Sequence, residues 1–239
     1  MAQKQLIYKG NTFNISYEIL NHNLANDVVI LHGWGSSKAL MKSAFGSHLK
    51  EFRHIYIDLV GFGNSTSDVV LDSYDYAKIM ELFLNSIGAK KDIIIGHSFG
   101  GKVATLLNPK LLVLLSSAGI LEPKSFKVKA KIVIFKLFKN LGFSRFREFF
   151  VADDAKKLPQ HMYETFKKVI AEDFSDEFAT RDGKTLLCWG KNDTATTLNS
   201  AKKINSLVKN SELVVYEGDH YFFLKHSEDI AKNVESRWN

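Results

Sequence analysis

The pentapeptide Gly96-His97-Ser98-Phe99-Gly100 constrains the fold of this chain more than any other feature. It follows a short β-branched run at residues 93–95, and a helical pattern begins immediately after Ser98. A strand, a sharp turn and a helix are the context in which Gly-x-Ser-x-Gly forms a nucleophile elbow. Small residues two positions before and after the serine let the strand and the helix approach closely, and Gly96 and Gly100 occupy those positions. The motif therefore predicts an accessible, nucleophilic hydroxyl on Ser98.

A nucleophilic serine needs a base that accepts its proton and an acid that orients the base. In a strand-elbow-helix arrangement the acid and then the histidine follow the serine along the chain. Strand patterns at residues 186–189 and 213–216 each run into a loop, and these loops contain Asp193 and His220. Because the carboxyl ends of parallel strands form one edge of a sheet, the three loops are expected to meet. We predict a catalytic triad of Ser98, Asp193 and His220.

An early loop completes the predicted site. The strand pattern at residues 28–31 ends in His32-Gly33-Trp34-Gly35. A tetrahedral oxyanion is usually stabilised by two backbone amides, one after the nucleophile and one from an early strand-to-helix loop. The candidates are the amides of Phe99 and Trp34, and Gly33 gives the loop the freedom to turn inward. His32 is expected to form a hydrogen bond within this loop.

Together these segments resemble those of serine hydrolases with the α/β-hydrolase fold. The resemblance covers nearly the whole chain, at residues 32–35, 58–65, 96–101, 189–193 and 218–224. It favours Asp193 over its rival Asp58, because family members place the acid after the later strand. Asp219 ranks third, since its side chain should point away from the adjacent His220. Gly218-Asp219-His220 is similar to the histidine motif of acyl-thioesterase members.

The strand and helix patterns predict the architecture. Gly10-Asn11 marks a turn between the first two strand patterns, which are expected to pair in antiparallel fashion. Eight strands with interleaved helices indicate an α/β fold, with an eight-stranded, mostly parallel sheet covered by helices on both faces. The strand patterns lie at residues 6–8, 13–19, 28–31, 54–57, 93–95, 111–115, 186–189 and 213–216, and the main helical patterns at 74–87, 100–107, 199–208 and 228–237.

The regular spacing of strands stops after residue 115. Residues 116–183 contain no strand pattern, and helical patterns occupy 128–141, 145–150 and 155–172. We therefore predict a core domain formed by residues 1–118 and 183–239, with a helical cap at residues 119–182 inserted between core strands. Such a cap excludes water from the site and shapes the pocket for the acyl group.

Charge is uneven within the predicted cap. Residues 123–147 contain eight cations and no acid. One interpretation is a solvated face, and the alternative is a docking surface for an acidic carrier protein or an anionic membrane surface. We predict no nucleic-acid partner, because the net charge of +6 is modest and no binding motif accompanies the stretch. The eight cations are Lys124, Lys127, Lys129, Lys131, Lys136, Lys139, Arg145 and Arg147.

Composition limits the remaining options. The single cysteine, Cys188, cannot form an internal disulfide, and residues 1–6 contain no apolar targeting segment. No run approaches the roughly 18 apolar residues of a membrane span, so we expect no transmembrane segment and a cytoplasmic protein. The sequence has no metal-ligand spacing, and we predict no metal.

The predicted chemistry is transfer of an acyl group to water, with a small-molecule acyl substrate, an acyl-enzyme on Ser98 and no cofactor. Ester hydrolysis is favoured because it requires no further groups. Alternatives are hydrolysis of a C–C bond, as in meta-cleavage-product hydrolases, an acyl-thioesterase or carrier-protein esterase, and a cofactor-free peroxidase. The C–C hydrolases typically have tryptophan after the catalytic histidine, where this chain has Tyr221. A catalytically silent binding module would have lost a triad residue or an elbow glycine, and all are present.

Overall fold

The structure is a computed structural model that describes residues 2–122 and 159–238. Its strands are β1 Ala2–Tyr8, β2 Asn11–Leu20, β3 Asp27–Leu31, β4 Arg53–Ile57, β5 Ile93–His97, β6 Leu111–Leu115, β7 Lys184–Gly190 and β8 Ser211–Tyr216. Numbered over the described residues, the helices are α1 Lys38–Phe45, α2 Ser73–Ser86, α3 Phe99–Leu107, α4 Gln160–Ala171, α5 Ser175–Ala179, α6 Leu198–Leu207 and α7 Phe223–Trp238.

The strands form one eight-stranded sheet in the order β1-β2-β4-β3-β5-β6-β7-β8. β2 is antiparallel to both β1 and β4, and all other neighbours are parallel. The predicted α/β fold, its mostly parallel sheet and its antiparallel first pair are therefore confirmed. The carboxyl ends of β3, β5, β7 and β8 lie at one edge of the sheet, and the predicted site loops all follow these ends.

The alternation of side chains along the central strands explains why helices cover both faces. In β3, Val29 and Leu31 belong to an apolar cluster with α2, α3 and α6, whereas Val28 and Ile30 belong to a second cluster with α1 and α7. β3, β5 and β6 are buried along their whole length, because neither face is open to water. The two clusters together form the packed core beneath the edge that carries the loops.

Three helices differ from the sequence prediction, and one of them is the short α5, which lies outside every predicted helical pattern. α1 was not predicted, because its apolar face is limited to Met41, Ala44 and Phe45, and its buried Lys38 forms an ion pair with Asp58, which is distant in the sequence. α7 begins at Phe223 rather than at residue 228, and the non-helical backbone of His226 interrupts the pattern near its start.

The segment between β6 and β7 is described in part. Residues 116–122 and 159–183 contain α4 and α5 and no strand, which agrees with the predicted absence of strands there. The predicted helices at residues 128–141 and 145–150 lie outside the described residues, and so does the beginning of the one at 155–172. The division into a core domain and a cap at residues 119–182 stays a prediction. None of the helices in the described part of the chain is long and apolar enough to cross a membrane.

Candidate active site

The turn between β5 and α3 holds Ser98 in a strained backbone conformation. Its φ of 50° and ψ of −116° lie outside the usual regions for residues other than glycine. A Cβ atom on Gly96 would lie 2.5 Å from the carbonyl oxygen of Gly100, and one on Gly100 would lie 2.5 Å from that of His32. Both glycines are thus required for the close contact of strand and helix. Ser98 is partly exposed at the top of this turn.

The predicted acid and base are in direct contact. Nδ1 of His220 lies 2.7 Å from Oδ2 of Asp193, and both side chains are buried. The other carboxylate oxygen, Oδ1, accepts hydrogen bonds from the amides of Ala195 and Thr196 at 2.7 and 3.0 Å. A carboxylate surrounded by donors acts as an acceptor, so Nδ1 of His220 carries the proton and Nε2 remains basic.

The electrostatic environment keeps Asp193 ionised. Burial alone raises the pKa of this carboxyl group, but the charge and hydrogen bond of His220 and the hydrogen bond of the Thr196 amide together hold the pKa below its usual value of 3.8. An ionised Asp193 can therefore stabilise a positive charge on His220 when that ring accepts a proton.

Backbone hydrogen bonds join the acid loop to the base loop. The amide of Lys191 donates to Tyr216 O at 2.8 Å, and the amide of Asn192 donates to Gly218 O at 2.9 Å. A Cβ atom on Gly190 would lie 2.2 Å from the carbonyl oxygen of Asp219, which shows how closely the loops pack. These contacts fix the separation of the two side chains.

The two other candidate acids are engaged elsewhere. Asp58 forms a buried ion pair with Lys38 and also accepts from the amides of Lys38 and Asn64 at 2.8 and 3.0 Å. Oδ1 of Asp219 accepts from the amide of Tyr221 at 2.9 Å and so stabilises its own turn. Neither side chain has a hydrogen bond to His220 among the described residues.

His97 connects the nucleophile turn to the base loop, although sequence reasoning gave it no role. Its Nε2 atom donates to the backbone carbonyl oxygen of His220 at 3.1 Å, and the two ring centroids lie 4.7 Å apart. Burial first, and the charge of His220 second, hold the pKa of His97 well below 6.5. His97 is therefore a neutral residue that packs behind His220.

The loop after β3 lies directly against the elbow. A Cβ atom on Gly33 would lie 3.1 Å from Cβ of Ser98, so only a small residue fits there. His32 donates from Nδ1 to Gly33 O at 2.8 Å and accepts at Nε2 from the amide of Leu59 at 2.9 Å. Burial lowers the pKa of His32 to about 4, and this neutral ring links the loop to β4.

Aromatic side chains surround Trp34 of this loop. The centroid of its ring lies 4.8 Å from that of Phe62, 5.5 Å from that of Phe99 and 5.1 Å from that of Phe166. Phe166 belongs to α4, so the segment between β6 and β7 contacts the candidate oxyanion loop. The surface beside Ser98 is thus apolar and aromatic.

Sequence reasoning also missed Thr196. Its hydroxyl lies 3.0 Å from Oδ2 of Asp193, 3.0 Å from Ser116 O and 3.5 Å from Nδ1 of His220. Its short spacing from Asp193 could have indicated this role, because an aspartate commonly accepts hydrogen bonds from residues two and three positions later in the chain. Within residues 2–122 and 159–238, no group of His, Cys, Asp and Glu is arranged to hold a metal ion.

Known proteins that resemble this chain are named as esterases or hydrolases. The chain is 24% identical over 232 residues to a Mycoplasma pneumoniae protein named as an esterase/lipase, covering 87% of this chain and 86% of the relative. It is 23% identical over 245 residues to the pimeloyl-[acyl-carrier protein] methyl ester esterase of Aliivibrio fischeri, covering 90% and 94%. The structure superposes on the meta-cleavage product hydrolase of Pseudomonas fluorescens with a TM-score of 0.79 and 17% identity, covering 98% and 96%.

The sequence model of one protein family matches most of the chain. Residues 28–233 match the alpha/beta hydrolase family, and this range includes the elbow, the acid loop and the base loop. The chain therefore belongs to the alpha/beta hydrolase family.

Proposed function

We propose that the protein is a serine hydrolase that cleaves a carboxylic ester through an acyl-enzyme on Ser98. The observation that carries the proposal is the 2.7 Å hydrogen bond between Nδ1 of His220 and Asp193, at the same sheet edge as a serine held at φ 50°. This arrangement leaves Nε2 of His220 as the base for the Ser98 hydroxyl.

The chemistry follows in two halves. Nε2 of His220 accepts the proton of the Ser98 hydroxyl while Oγ attacks the ester carbonyl carbon, and the amides of Trp34 and Phe99 stabilise the oxyanion. The C–O bond to the alcohol then breaks, and the alcohol leaves with the proton from His220. A water molecule gives its proton to His220 and attacks the acyl-enzyme, which releases the carboxylic acid and restores Ser98.

The acyl group is proposed to be apolar. Phe99 begins α3, so its amide is one of the free donors at a helix N-terminus, beside the aromatic surface of Trp34, Phe62 and Phe166. An apolar chain placed against these rings brings its carbonyl group to the donors. Aromatic and medium-length aliphatic acyl groups therefore suit the site best.

A carrier-bound ester is a second candidate substrate. Two features favour it: the relative from Aliivibrio fischeri is a carrier-protein ester esterase by name, and residues 123–147 contain eight cations and no acid. Acyl carrier proteins are acidic, and a basic surface would speed their encounter with the enzyme. The basic stretch itself lies outside the described residues.

A cytoplasmic location is part of the proposal. Cys188 is the single cysteine of the chain and is buried in β7, where burial raises the pKa of its thiol. A buried, protonated thiol is unreactive, and a single cysteine forms no internal disulfide. The fold therefore does not depend on an oxidising compartment.

The proposal is tested with p-nitrophenyl esters of increasing chain length, run beside an acyl-thioester and a dienoate diketone. We expect hydrolysis of the esters, with the highest kcat/KM at medium chain length. Ser98→Ala should abolish this activity, and Ser43→Ala, which removes an exposed hydroxyl on α1, should retain it. Faster turnover of the diketone than of any ester would instead assign C–C bond hydrolysis.

A further inference from the structure

The end of α4 is attached to the core by a carboxylate that bridges two helices. Oε2 of Glu172 lies 2.7 Å from Nζ of Lys102 on α3. Oε1 of the same group accepts from the amide of Ser73 at 3.0 Å, and the Ser73 hydroxyl donates to Oε2. Because Ser73 is the first residue of α2, this carboxylate also lies at the positive end of that helix.

Lys102 is the buried partner of this carboxylate. Only 2% of its side chain is exposed, and Nζ also donates to Val169 O at 2.6 Å and lies 4.3 Å from the ring centroid of Phe174. Val169 is in the last turn of α4, whose carbonyl groups have no partner within the helix. Lys102 thus caps α4 with a positive charge and pairs with the residue that follows it. Removing the carboxylate would leave the buried ammonium group of Lys102 without its ion-pair partner.

The position of α4 bears on the candidate site. Its inner face is formed by Met162, Thr165 and Val169, and Phe166 on the adjacent face contacts the ring of Trp34. Lys102 lies on the same helix that begins at Phe99, next to Ser98. The ion pair therefore joins the nucleophile helix directly to the helix that carries Phe166.

We propose that Lys102 and Glu172 are positioning residues that hold α4 and Phe166 against Trp34 and thereby determine the length of acyl chain that the site accepts. This inference rests on the proposed esterase function. A long acyl chain needs the apolar surface of Phe166 and Trp34 in one fixed arrangement, whereas an acetyl group needs only the elbow and the oxyanion donors. Loosening α4 should therefore weaken binding of long chains more than it slows the chemical steps.

The decisive variant is Glu172→Gln, which keeps the size of the side chain and removes its charge. Glu164→Gln is the matched control, because Glu164 is also on α4 but pairs with the exposed Lys167 and Gln160. For p-nitrophenyl octanoate we expect Glu172→Gln to lower kcat/KM about tenfold, mainly by raising KM. For the acetate we expect a change of less than about threefold. Glu164→Gln should match the wild type on both esters.

Hydrogen exchange gives a readout that does not depend on activity. In Glu172→Gln and in Lys102→Met, amides of α4 should exchange about tenfold faster than in the wild type, while those of α6 stay unchanged. Equal losses on both esters, or unchanged exchange in α4, would overturn the proposal. If Glu172→Gln fails to fold, Ser73→Ala removes one donor to the same carboxylate and should shift both measurements in the same direction. No shift in Ser73→Ala would then overturn it.

Failure of the proposed function is distinguishable from failure of this inference. A wild type that hydrolyses no ester would overturn the esterase assignment together with the acyl-chain part of the inference. The exchange measurement would still decide whether Glu172 and Lys102 hold α4 in place.

Discussion

The hydroxyl of Thr196 lies 3.0 Å from Oδ2 of Asp193, the carboxylate oxygen that also bonds to His220. The same hydroxyl is 3.0 Å from Ser116 O, so it connects the acid to the end of β6. The carboxylate is thereby held between two loops rather than by its own loop alone.

Thr196→Val should lower kcat about tenfold, because the carboxylate loses a donor that fixes its orientation toward His220. Thr194→Val is the matched control, since Thr194 is exposed in the same loop. Steady-state rates on a small ester check this prediction. Equal rates in the two variants would show that the hydroxyl of Thr196 has no part in catalysis.

Asp193→Asn should impair catalysis, whereas Asp58→Asn should impair stability. Asp193→Asn should lower kcat by about 10³–10⁴, because an amide no longer sets the productive tautomer of His220. Asp58→Asn should instead lower the free energy of unfolding by about 3–5 kcal/mol, because Lys38 stays buried without its counterion. Urea unfolding and kcat of the folded fraction separate the two effects. A greater loss of kcat in Asp58→Asn would reverse the assignment of the acid.

The positions of Ser98, Asp193 and His220 were predictable because each follows a strand whose apolar residues are recognisable in the sequence. The apolar runs of β5, β7 and β8 identify the strands, and their parallel order puts the loops at one edge of the sheet. No knowledge of tertiary contacts was needed for that step.

Residues whose roles depend on distant partners were not predictable in this way. In the sequence, Lys102 is not distinguished from other helical lysines. Its partner Glu172 lies seventy positions later in the chain, and only the fold brings the two together. α1 is likewise stabilised by an ion pair with Asp58 that no local pattern contains. His97 was missed because its partner is a backbone carbonyl group, and every residue type has such a group.

His32 should make the protein less stable in mild acid. Its pKa is lowered from 6.5 to about 4 in the folded protein, so between these values the unfolded chain binds a proton that the folded chain does not. Stability is unaffected above pH 6.5 and falls as the pH decreases toward 4, by up to about 3 kcal/mol from this residue.

Urea unfolding at about pH 7 and about pH 4.5 tests whether the free energy of unfolding falls as the pH decreases. The wild type should lose more stability between the two conditions than His32→Asn does. His22→Asn, at an exposed position, should behave as the wild type. An identical pH dependence in His32→Asn and the wild type would contradict a neutral, buried His32.

Charge reversal in the basic stretch should impair only a carrier-bound substrate. In the double variant Lys127→Glu, Lys131→Glu, we expect kcat/KM for a carrier-protein ester to fall about tenfold at low salt and less at high salt, because exposed charges are screened over about 8–10 Å. Hydrolysis of a small neutral ester should not change.

Lys202→Glu, Lys203→Glu on α6 is the matched control for this pair, since both lysines are exposed and lie outside the stretch. Equal losses in the two double variants, or a loss without salt dependence, would make residues 123–147 a solvated face rather than a docking surface.

Covalent labelling by a fluorophosphonate, located by peptide mass mapping, tests the central claim most directly. We expect one adduct, on the Ser98 hydroxyl, in the wild type, and none in Ser98→Ala or His220→Ala, because the hydroxyl reacts only when His220 removes its proton. An unlabelled wild type, or an adduct that persists in Ser98→Ala, would contradict Ser98 as the nucleophile.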